Sequence, residues 1–239
     1  MNWNDVKWKL KNKFASNYLG QKFWILFSGK SKGVVVDASV DIVIEGYPRS
    51  GNTFCVALFR YLSTSDIKIA RHRHEIAQIK SSIRFKKIAI FVIREPLSSV
   101  SSFVVREDVS VKYALEYYIK YYSELMASLD YIYIVDFGFL VRNTEDFVEN
   151  ARSFLGLSYL SSYDSDDFGE VNKFVLDMER EDSGGIVRAS HVAMPNKDRD
   201  ESKNAVIFEM HSKYEKEVKD ALDCYNSLLE MAKVFGRMV

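Results

Sequence analysis

The sequence predicts an α/β fold in which a parallel β-sheet is flanked by helices on both faces, giving three layers. Apolar, β-branched runs at residues 41–45 and 87–93 have the length of buried strands. The first of these runs is followed by a segment with apolar residues at helical spacing, and a further short strand is expected at residues 66–71. Strand, helix and strand in that order are typical of a βαβ unit, whose ligands bind beyond the carboxyl ends of the strands.

The first predicted strand runs directly into a glycine turn that opens a helix. The turn reads Gly46-Tyr-Pro-Arg-Ser-Gly-Asn-Thr53, and the helix is expected over residues 50–62. The unpaired N–H groups at the start of such a helix favour an anion. The glycine spacing matches a Walker A loop, but Asn52 stands where that loop has its lysine, and the nearby cation is Arg49. An ordinary ATPase is therefore disfavoured.

The segment Pro-Arg-Ser-Gly-Asn-Thr-Phe at residues 48–54 resembles the 5′-phosphosulfate loop of the sulfotransferases that use 3′-phosphoadenosine 5′-phosphosulfate (PAPS). Within that family the sequence resembles the bacterial enzymes that act on carbohydrates. The resemblance implies their P-loop-type parallel sheet. It implies that Arg49 stabilises charge on the leaving phosphate, and that the sulfate-bearing end is bound by Arg49, Ser50, Gly51, Asn52, Thr53 and Phe54.

The second half of that family's pattern is also present. The strand at residues 87–93 ends at Arg94, Pro96 follows, and Ser102 stands eight residues after the arginine. Arg94 can form paired charge-assisted hydrogen bonds with a phosphate, and a serine hydroxyl can add a further donor. The resemblance implies that Arg94 and Ser102 bind the 3′-phosphate of PAPS.

A basic segment, Arg71-His-Arg-His-Glu75, follows the strand expected at residues 66–71. The resemblance implies a base at this point that removes the proton of the acceptor hydroxyl. We favour His74 for this role, with Glu75 and His72 as alternatives, and a solvated basic turn without a chemical role as the remaining interpretation. A histidine suits the task because its ordinary pKa of about 6.5 leaves it unprotonated near neutral pH.

Composition narrows the possible partners. The 239 residues suit one domain over residues 1–239, and 33 basic against 33 acidic residues create no overall field that would attract nucleic acid. Cys55 and Cys224 have neither metal-ligand nor redox spacing, and no metal site is expected. We find neither a secretion signal nor a membrane span, so the sequence predicts a cytoplasmic protein.

Residues 1–32 form a basic and aromatic segment that is expected to be helical, with seven lysines and one aspartate. It suits either a helix packed on its own domain or an interfacial helix that contacts anionic lipid through residues 1–30.

The remaining segments carry weaker signals. A short β-branched run at residues 33–37 suggests a strand, the tyrosine-rich residues 110–129 suggest a packed helix, residues 130–136 a strand, and residues 143–155 a helix ending at Gly156. Residues 183–200 resemble a mobile lid, in which Arg188 or Arg199 could reach the nucleotide. The spacing of apolar residues in 202–235 predicts one or two helices that complete the fold.

The sequence thus predicts transfer of a sulfuryl group from PAPS to a hydroxyl of a saccharide or glycolipid. Two alternatives stay open: a P-loop kinase or other nucleotide-binding protein, and a module that binds PAPS or its product without turnover. No requirement for a metal is expected, because the loop lacks the Lys-Ser/Thr pair that presents a magnesium-bound triphosphate.

Overall fold

The computed structural model describes residues 2–28, 34–183 and 197–234, and it confirms the α/β class. Four strands form one parallel sheet in the order β2-β1-β3-β4. They are β1 (Ile42–Glu45), β2 (Ile69–Ala70), β3 (Ile88–Ile93) and β4 (Tyr133–Asp136). Because all four run the same way, their carboxyl ends lie along one edge of the sheet.

Helices connect and cover the strands. They are α1 (Trp3–Phe14), α2 (Tyr18–Ser28), α3 (Asn52–Leu62), α4 (Ile76–Arg84), α5 (Pro96–Glu107), α6 (Val111–Met126), α7 (Phe137–Arg142), α8 (Thr144–Phe154), α9 (Asp167–Ser183), α10 (Lys197–Lys213) and α11 (Glu215–Val234). One 3₁₀ turn, Leu129–Tyr131, precedes β4.

The two faces of the sheet bury separate apolar clusters, because alternate residues of a strand point to opposite sides. Val43, Phe91 and Ile134 belong to the cluster shared with α4, α5, α6, α10 and α11. Ile44 and Val92 belong to the cluster shared with α3, α8 and α9. The arrangement of helices, sheet and helices gives the three layers that the sequence predicts.

The expectation of a strand at residues 33–37 was wrong for its described part. Val34 forms an isolated antiparallel bridge with Arg71, and the chain then turns at Asp37, whose carboxylate accepts the backbone N–H of Ser39 at 2.8 Å. A side chain that bonds backbone two residues on favours a turn over a ladder. Helices α4, α7 and α9 were not predicted from the sequence.

Other expectations agree with the structure. Residues 143–155 contain α8, which Gly156 follows with a φ of +67°. The closing helices expected at residues 202–235 are α10 and α11. Apart from these expectations, the structure shows that Cys55 and Cys224 are both buried and that neither is in a disulfide.

The N-terminal segment forms two helices, α1 and α2, instead of one. No helix in the described ranges is both long enough and apolar enough to cross a bilayer. The lid expected at residues 183–200 lies largely outside the described residues, Arg188 included; its two ends are the last residue of α9 and the first turn of α10, which holds Arg199.

Candidate functional site

The loop of residues 46–51 joins β1 to α3, and its two glycines are required by close contacts. A Cβ at Gly46 would lie 2.2 Å from the Val92 carbonyl oxygen. Gly51 has a φ of +100°, and a Cβ there would lie 2.2 Å from the ring of Phe137. Because Gly51 has no side chain to cap α3, no side chain caps the N–H groups of Asn52 and Thr53 at the helix start, which is the arrangement that an anion site requires.

The side chains around the helix start stabilise the loop. The Asn52 amide lies 3.4 Å from the Gly46 carbonyl oxygen and 3.3 Å from that of Tyr47. The Thr53 hydroxyl lies 3.4 Å from Nε2 of His72, and the Phe54 ring packs 6.2 Å from that of Phe168. Of the predicted ligands, Asn52 therefore offers its backbone N–H more readily than its side chain, whereas the Phe54 N–H already donates to the Gly51 carbonyl oxygen at 3.1 Å.

Arg49 lies at the tip of the loop with a φ of +67°, in the left-handed region that non-glycine residues seldom adopt. Its Nε donates to the Ser102 hydroxyl at 3.0 Å. Its backbone carbonyl accepts a hydrogen bond from Nη1 of Arg94 at 3.3 Å. Through these two contacts the structure brings both halves of the predicted nucleotide site together at one residue.

Arg94 follows β3, and α6 holds its backbone from both sides. Its N–H donates to the Tyr122 hydroxyl at 3.0 Å, and its carbonyl accepts from the Tyr118 hydroxyl at 2.7 Å. The guanidinium lies 4.5 Å above the Phe137 ring, a cation–π contact. Partial burial lowers the pKa of Arg94, yet a guanidinium keeps its charge at any physiological pH. A fixed positive charge therefore stands beside the loop.

His74 follows β2 and lies against the same loop from the other side. Its backbone N–H donates to Glu45 Oε2 at 3.2 Å, and Nδ1 of its ring lies 2.9 Å from the Gly46 carbonyl oxygen. The Tyr117 hydroxyl donates to the His74 carbonyl. The contact of Nδ1 with the Gly46 carbonyl oxygen is shorter than the 3.4 Å from Nδ1 to the side-chain nitrogen of Asn52. Since a carbonyl oxygen only accepts, the shorter contact favours the tautomer with the proton on Nδ1 and the lone pair on Nε2.

Burial lowers the pKa of His74 well below its ordinary value of 6.5, with the Gly46 carbonyl partly opposing this effect. The neutral imidazole that a general base requires is therefore the stable form at neutral pH.

The two alternative bases are differently placed. Arg71 Nη1 lies 2.6 Å from His72 Nδ1, so that nitrogen must accept and the proton is on Nε2, beside Thr53. The Glu75 carboxylate is fully buried and pairs with Arg73 at 3.0 Å and Lys11 at 3.4 Å. In this arrangement the lone pair of His72 is engaged by Arg71, and the Glu75 carboxylate is held in its ion pairs with Arg73 and Lys11.

Glu45 is a site residue that the sequence analysis missed. It ends β1, is fully buried, and accepts the backbone N–H of Arg73 at 2.7 Å as well as that of His74. Burial raises the pKa of Glu45 to about 7, although these N–H groups favour the charged form. The available signal was an acidic residue at the end of an otherwise apolar strand.

Phe137 and the hydroxyls of Tyr117, Tyr118 and Tyr122 were also missed as parts of the site. The tyrosine pattern predicted only a packed helix, and it is one, since Tyr117, Tyr118 and Tyr122 are buried. Periodicity shows which face of a helix is buried, but not which backbone atom a hydroxyl will reach.

Comparison with known proteins gives a weak structural likeness. No protein-family model matches the chain, and no curated protein matches it. Among solved structures, the mouse sulfotransferase SULT7A1 complexed with PAP aligns with a TM-score of 0.44 and 10% sequence identity, covering 82% of this chain and 90% of that chain. A likeness at this level does not establish a function.

Proposed function

We propose that this protein transfers a sulfuryl group from PAPS to an acceptor hydroxyl. The observation that carries the proposal is the meeting of Arg94 and Ser102 with the loop at Arg49, through contacts of 3.3 and 3.0 Å. Two groups that suit a phosphate thus stand beside a helix N-terminus that suits a second anion.

The residues at this edge fit a nucleotide with separated anionic groups. The loop amides and Arg49 would hold the 5′ end, and Arg94 with Ser102 would hold the 3′-phosphate. Gly46 and Gly51 keep the loop backbone close to β3 and Phe137, where side chains would prevent that approach. PAPS would supply the sulfuryl group, which is bonded to the 5′-phosphate that acts as the leaving group.

The chain's own residues would manage the proton and the charge. Nε2 of His74 accepts the proton of the acceptor hydroxyl as its oxygen forms a bond to sulfur. The bond from sulfur to the phosphate oxygen breaks, and Arg49 with the loop N–H groups stabilises the charge left on that oxygen. Glu45 and Tyr117 hold the backbone of His74 and so orient its ring.

Carboxylates at the strand ends are engaged in hydrogen bonds, which favours this proposal over a magnesium-dependent kinase. Glu95 accepts the N–H groups of Leu97 and Ser98 at 3.0 Å each. Asp136 accepts the N–H of Phe139 at 3.0 Å and the hydroxyl of Tyr225 at 2.5 Å. The acceptor that we propose is a hydroxyl of a saccharide or glycolipid, the class suggested by the motif resemblance.

Calorimetric titration tests the donor. Adenosine 3′,5′-bisphosphate should bind more tightly than ATP. Arg94→Ala should weaken binding of the bisphosphate by roughly 10- to 100-fold, which is the effect of losing a charge-assisted hydrogen bond. The control is Arg152→Ala, which removes a half-buried arginine paired with Glu149 on α8, outside the proposed nucleotide site. Tighter binding of ATP would favour the kinase alternative.

Transfer of ³⁵S from labelled PAPS to a panel of saccharides and glycolipids tests turnover. We expect transfer that EDTA does not abolish. Binding of the bisphosphate without transfer to any hydroxyl would favour the non-catalytic module, and activity lost in EDTA and restored by magnesium would contradict the metal-free mechanism.

A further inference from the structure

The two N-terminal helices expose an unusual share of the large apolar side chains. Of the fourteen large hydrophobic residues that are exposed in the described ranges, seven lie in α1 and α2. On α2 these are Leu19, Phe23, Leu26 and Phe27, with Leu26 83% and Phe27 78% exposed. Their spacing of four, seven and eight residues places them on one face of the helix.

Helix α1 extends this face. Trp3, Leu10 and Phe14 are separated by seven and four residues, and all three are exposed. The Phe14 ring lies 6.2 Å from that of Phe23, whose ring lies 4.9 Å from that of Phe27. The seven side chains therefore form one surface across both helices, called here the N-terminal apolar face.

Inward contacts already secure both helices without using this face. Asp5 accepts the Ser110 N–H at 2.8 Å, Asn12 donates to the Tyr113 hydroxyl at 2.8 Å, and Gln21 donates to Glu75 at 2.5 Å. Trp8 packs edge-on against Phe103 at 5.0 Å. The outward apolar side chains are thus not needed to attach the helices to the sheet domain.

Positive charge accompanies the apolar face. Lys7, Lys9, Lys13 and Lys22 are exposed on the same two helices. The first 32 residues hold one acidic residue, Asp5, whose carboxylate is bonded to Ser110. Aromatic and leucine side chains beside lysines match an interfacial helix on an anionic bilayer.

We propose that the N-terminal apolar face docks on the surface of an anionic lipid bilayer. The apolar side chains enter the boundary between headgroups and acyl chains, and the lysines contact anionic headgroups. A second copy of the chain fits this face less well, because a two-fold interface would place the same lysines against each other. The inference does not depend on the chemistry at the loop.

Vesicle co-sedimentation with the full chain tests the proposal, using phosphatidylcholine vesicles with and without phosphatidylserine. Binding is expected with phosphatidylserine and is weakened by salt. The double variant Leu26→Ser/Phe27→Ser should bind at least about tenfold more weakly, as should Lys13→Glu/Lys22→Glu. All four side chains are exposed, so the folded structure should be kept.

Matched controls use equally exposed residues elsewhere. Phe154→Ser/Phe208→Ser replaces apolar side chains that are 78% and 75% exposed on α8 and α10, and Lys213→Glu reverses a lysine on α10. These variants should bind as the wild type does. The same binding by all variants, or none by the wild type, would overturn the proposal.

Tryptophan fluorescence provides a second readout, because all three tryptophans, Trp3, Trp8 and Trp24, lie in these helices. Anionic vesicles should shift the emission to shorter wavelength. A concentration-dependent dimer in light scattering that Leu26→Ser/Phe27→Ser abolishes would instead assign the face to a second copy and overturn the lipid assignment.

Discussion

His74 and Glu45 meet where the first two strands end, and burial favours the neutral form of both side chains. It lowers the pKa of His74 and raises that of Glu45, so each neutral form is favoured. The closest approach of His74 Nδ1 to Glu45 is 3.6 Å. The contacts that hold His74 run through its backbone N–H, its carbonyl and Nδ1 of its ring, and none of them requires a charged imidazole.

His74→Ala should lower the rate of sulfuryl transfer by about 10²- to 10⁴-fold, the usual contribution of a general base, without weakening binding of adenosine 3′,5′-bisphosphate. A lowered pKa keeps the imidazole neutral until the pH falls well below 6.5. The acid limb of kcat/KM should accordingly lie below that value, as a pH–rate profile would show. An acid limb above 6.5, or a variant with unchanged rate, contradicts this role.

Glu45→Gln should change how stability depends on pH. A folded pKa of about 7, raised from 4.5, means that the contribution of Glu45 is fully present below pH 4.5 and is lost as the pH rises through 7. The free energy of unfolding of the wild type should therefore fall relative to the variant by about 3 kcal/mol across this window. Urea denaturation at several pH values measures it.

The control for that comparison is Glu149→Gln, which alters a carboxylate exposed on α8. Its free energy of unfolding should follow the wild type at every pH. A constant difference between wild type and Glu45→Gln from pH 4.5 to 7 would show that the Glu45 carboxyl does not titrate in this window.

Single residues also show what the sequence could predict. Arg94 and Ser102 were identified because their separation is part of a recognisable pattern, and the structure places both beside the loop. Glu45 was not identified, because its role depends on the backbone N–H groups of Arg73 and His74, 28 and 29 residues later. Such a partnership exists only once β1 and β2 have paired.

Among the elements, helix α6 positions the site by binding the backbone of two site residues, His74 and Arg94. Hydroxyls from three of its tyrosines bond the backbone of residues on two different strand ends: Tyr117 that of His74, and Tyr118 and Tyr122 that of Arg94. A single rigid helix thereby fixes the proposed base and the proposed phosphate ligand relative to each other.

Tyr117→Phe should lower the free energy of unfolding by about 1–2 kcal/mol, because the His74 carbonyl loses the hydrogen bond that the Tyr117 hydroxyl donates. The transfer rate should fall as His74 loses its orientation. Thermal or urea unfolding and the ³⁵S assay measure the two effects.

Tyr121→Phe is the matched control on the same helix. The Tyr121 ring is equally buried, but its hydroxyl has no hydrogen-bond partner among the described residues. This variant should keep the stability and activity of the wild type. Equal losses in both variants would show that the Tyr117 hydroxyl has no special role.

Element prediction was most successful where a periodic pattern was long. The helices expected at residues 202–235 and 143–155 are present. The short run at residues 33–37 was misjudged because local apolar content does not provide a pairing partner, and α4 was missed because it is only nine residues long. For residues 1–32 the pattern indicated a helix, but it showed neither the break between α1 and α2 nor their orientation on the domain.

At the scale of the whole molecule, the parallel sheet gathers the proposed site at one edge. The loop follows β1, His74 follows β2 and Arg94 follows β3, which are neighbours in the order β2-β1-β3. The N-terminal helices reach the same region, since Lys11 donates to the Arg73 carbonyl oxygen at 3.0 Å. Docking of those helices on a bilayer would bring the His74 segment close to the lipid surface.

The most direct measurement of the central claim is a calorimetric cycle with two ligands, adenosine 3′,5′-bisphosphate and 5′-AMP, and two proteins, wild type and Arg94→Ala. The wild type should prefer the bisphosphate by roughly 10- to 100-fold, and Arg94→Ala should lose that preference while keeping its affinity for 5′-AMP. A preference that survives in Arg94→Ala, or equal affinities in the wild type, would contradict a 3′-phosphate site at Arg94.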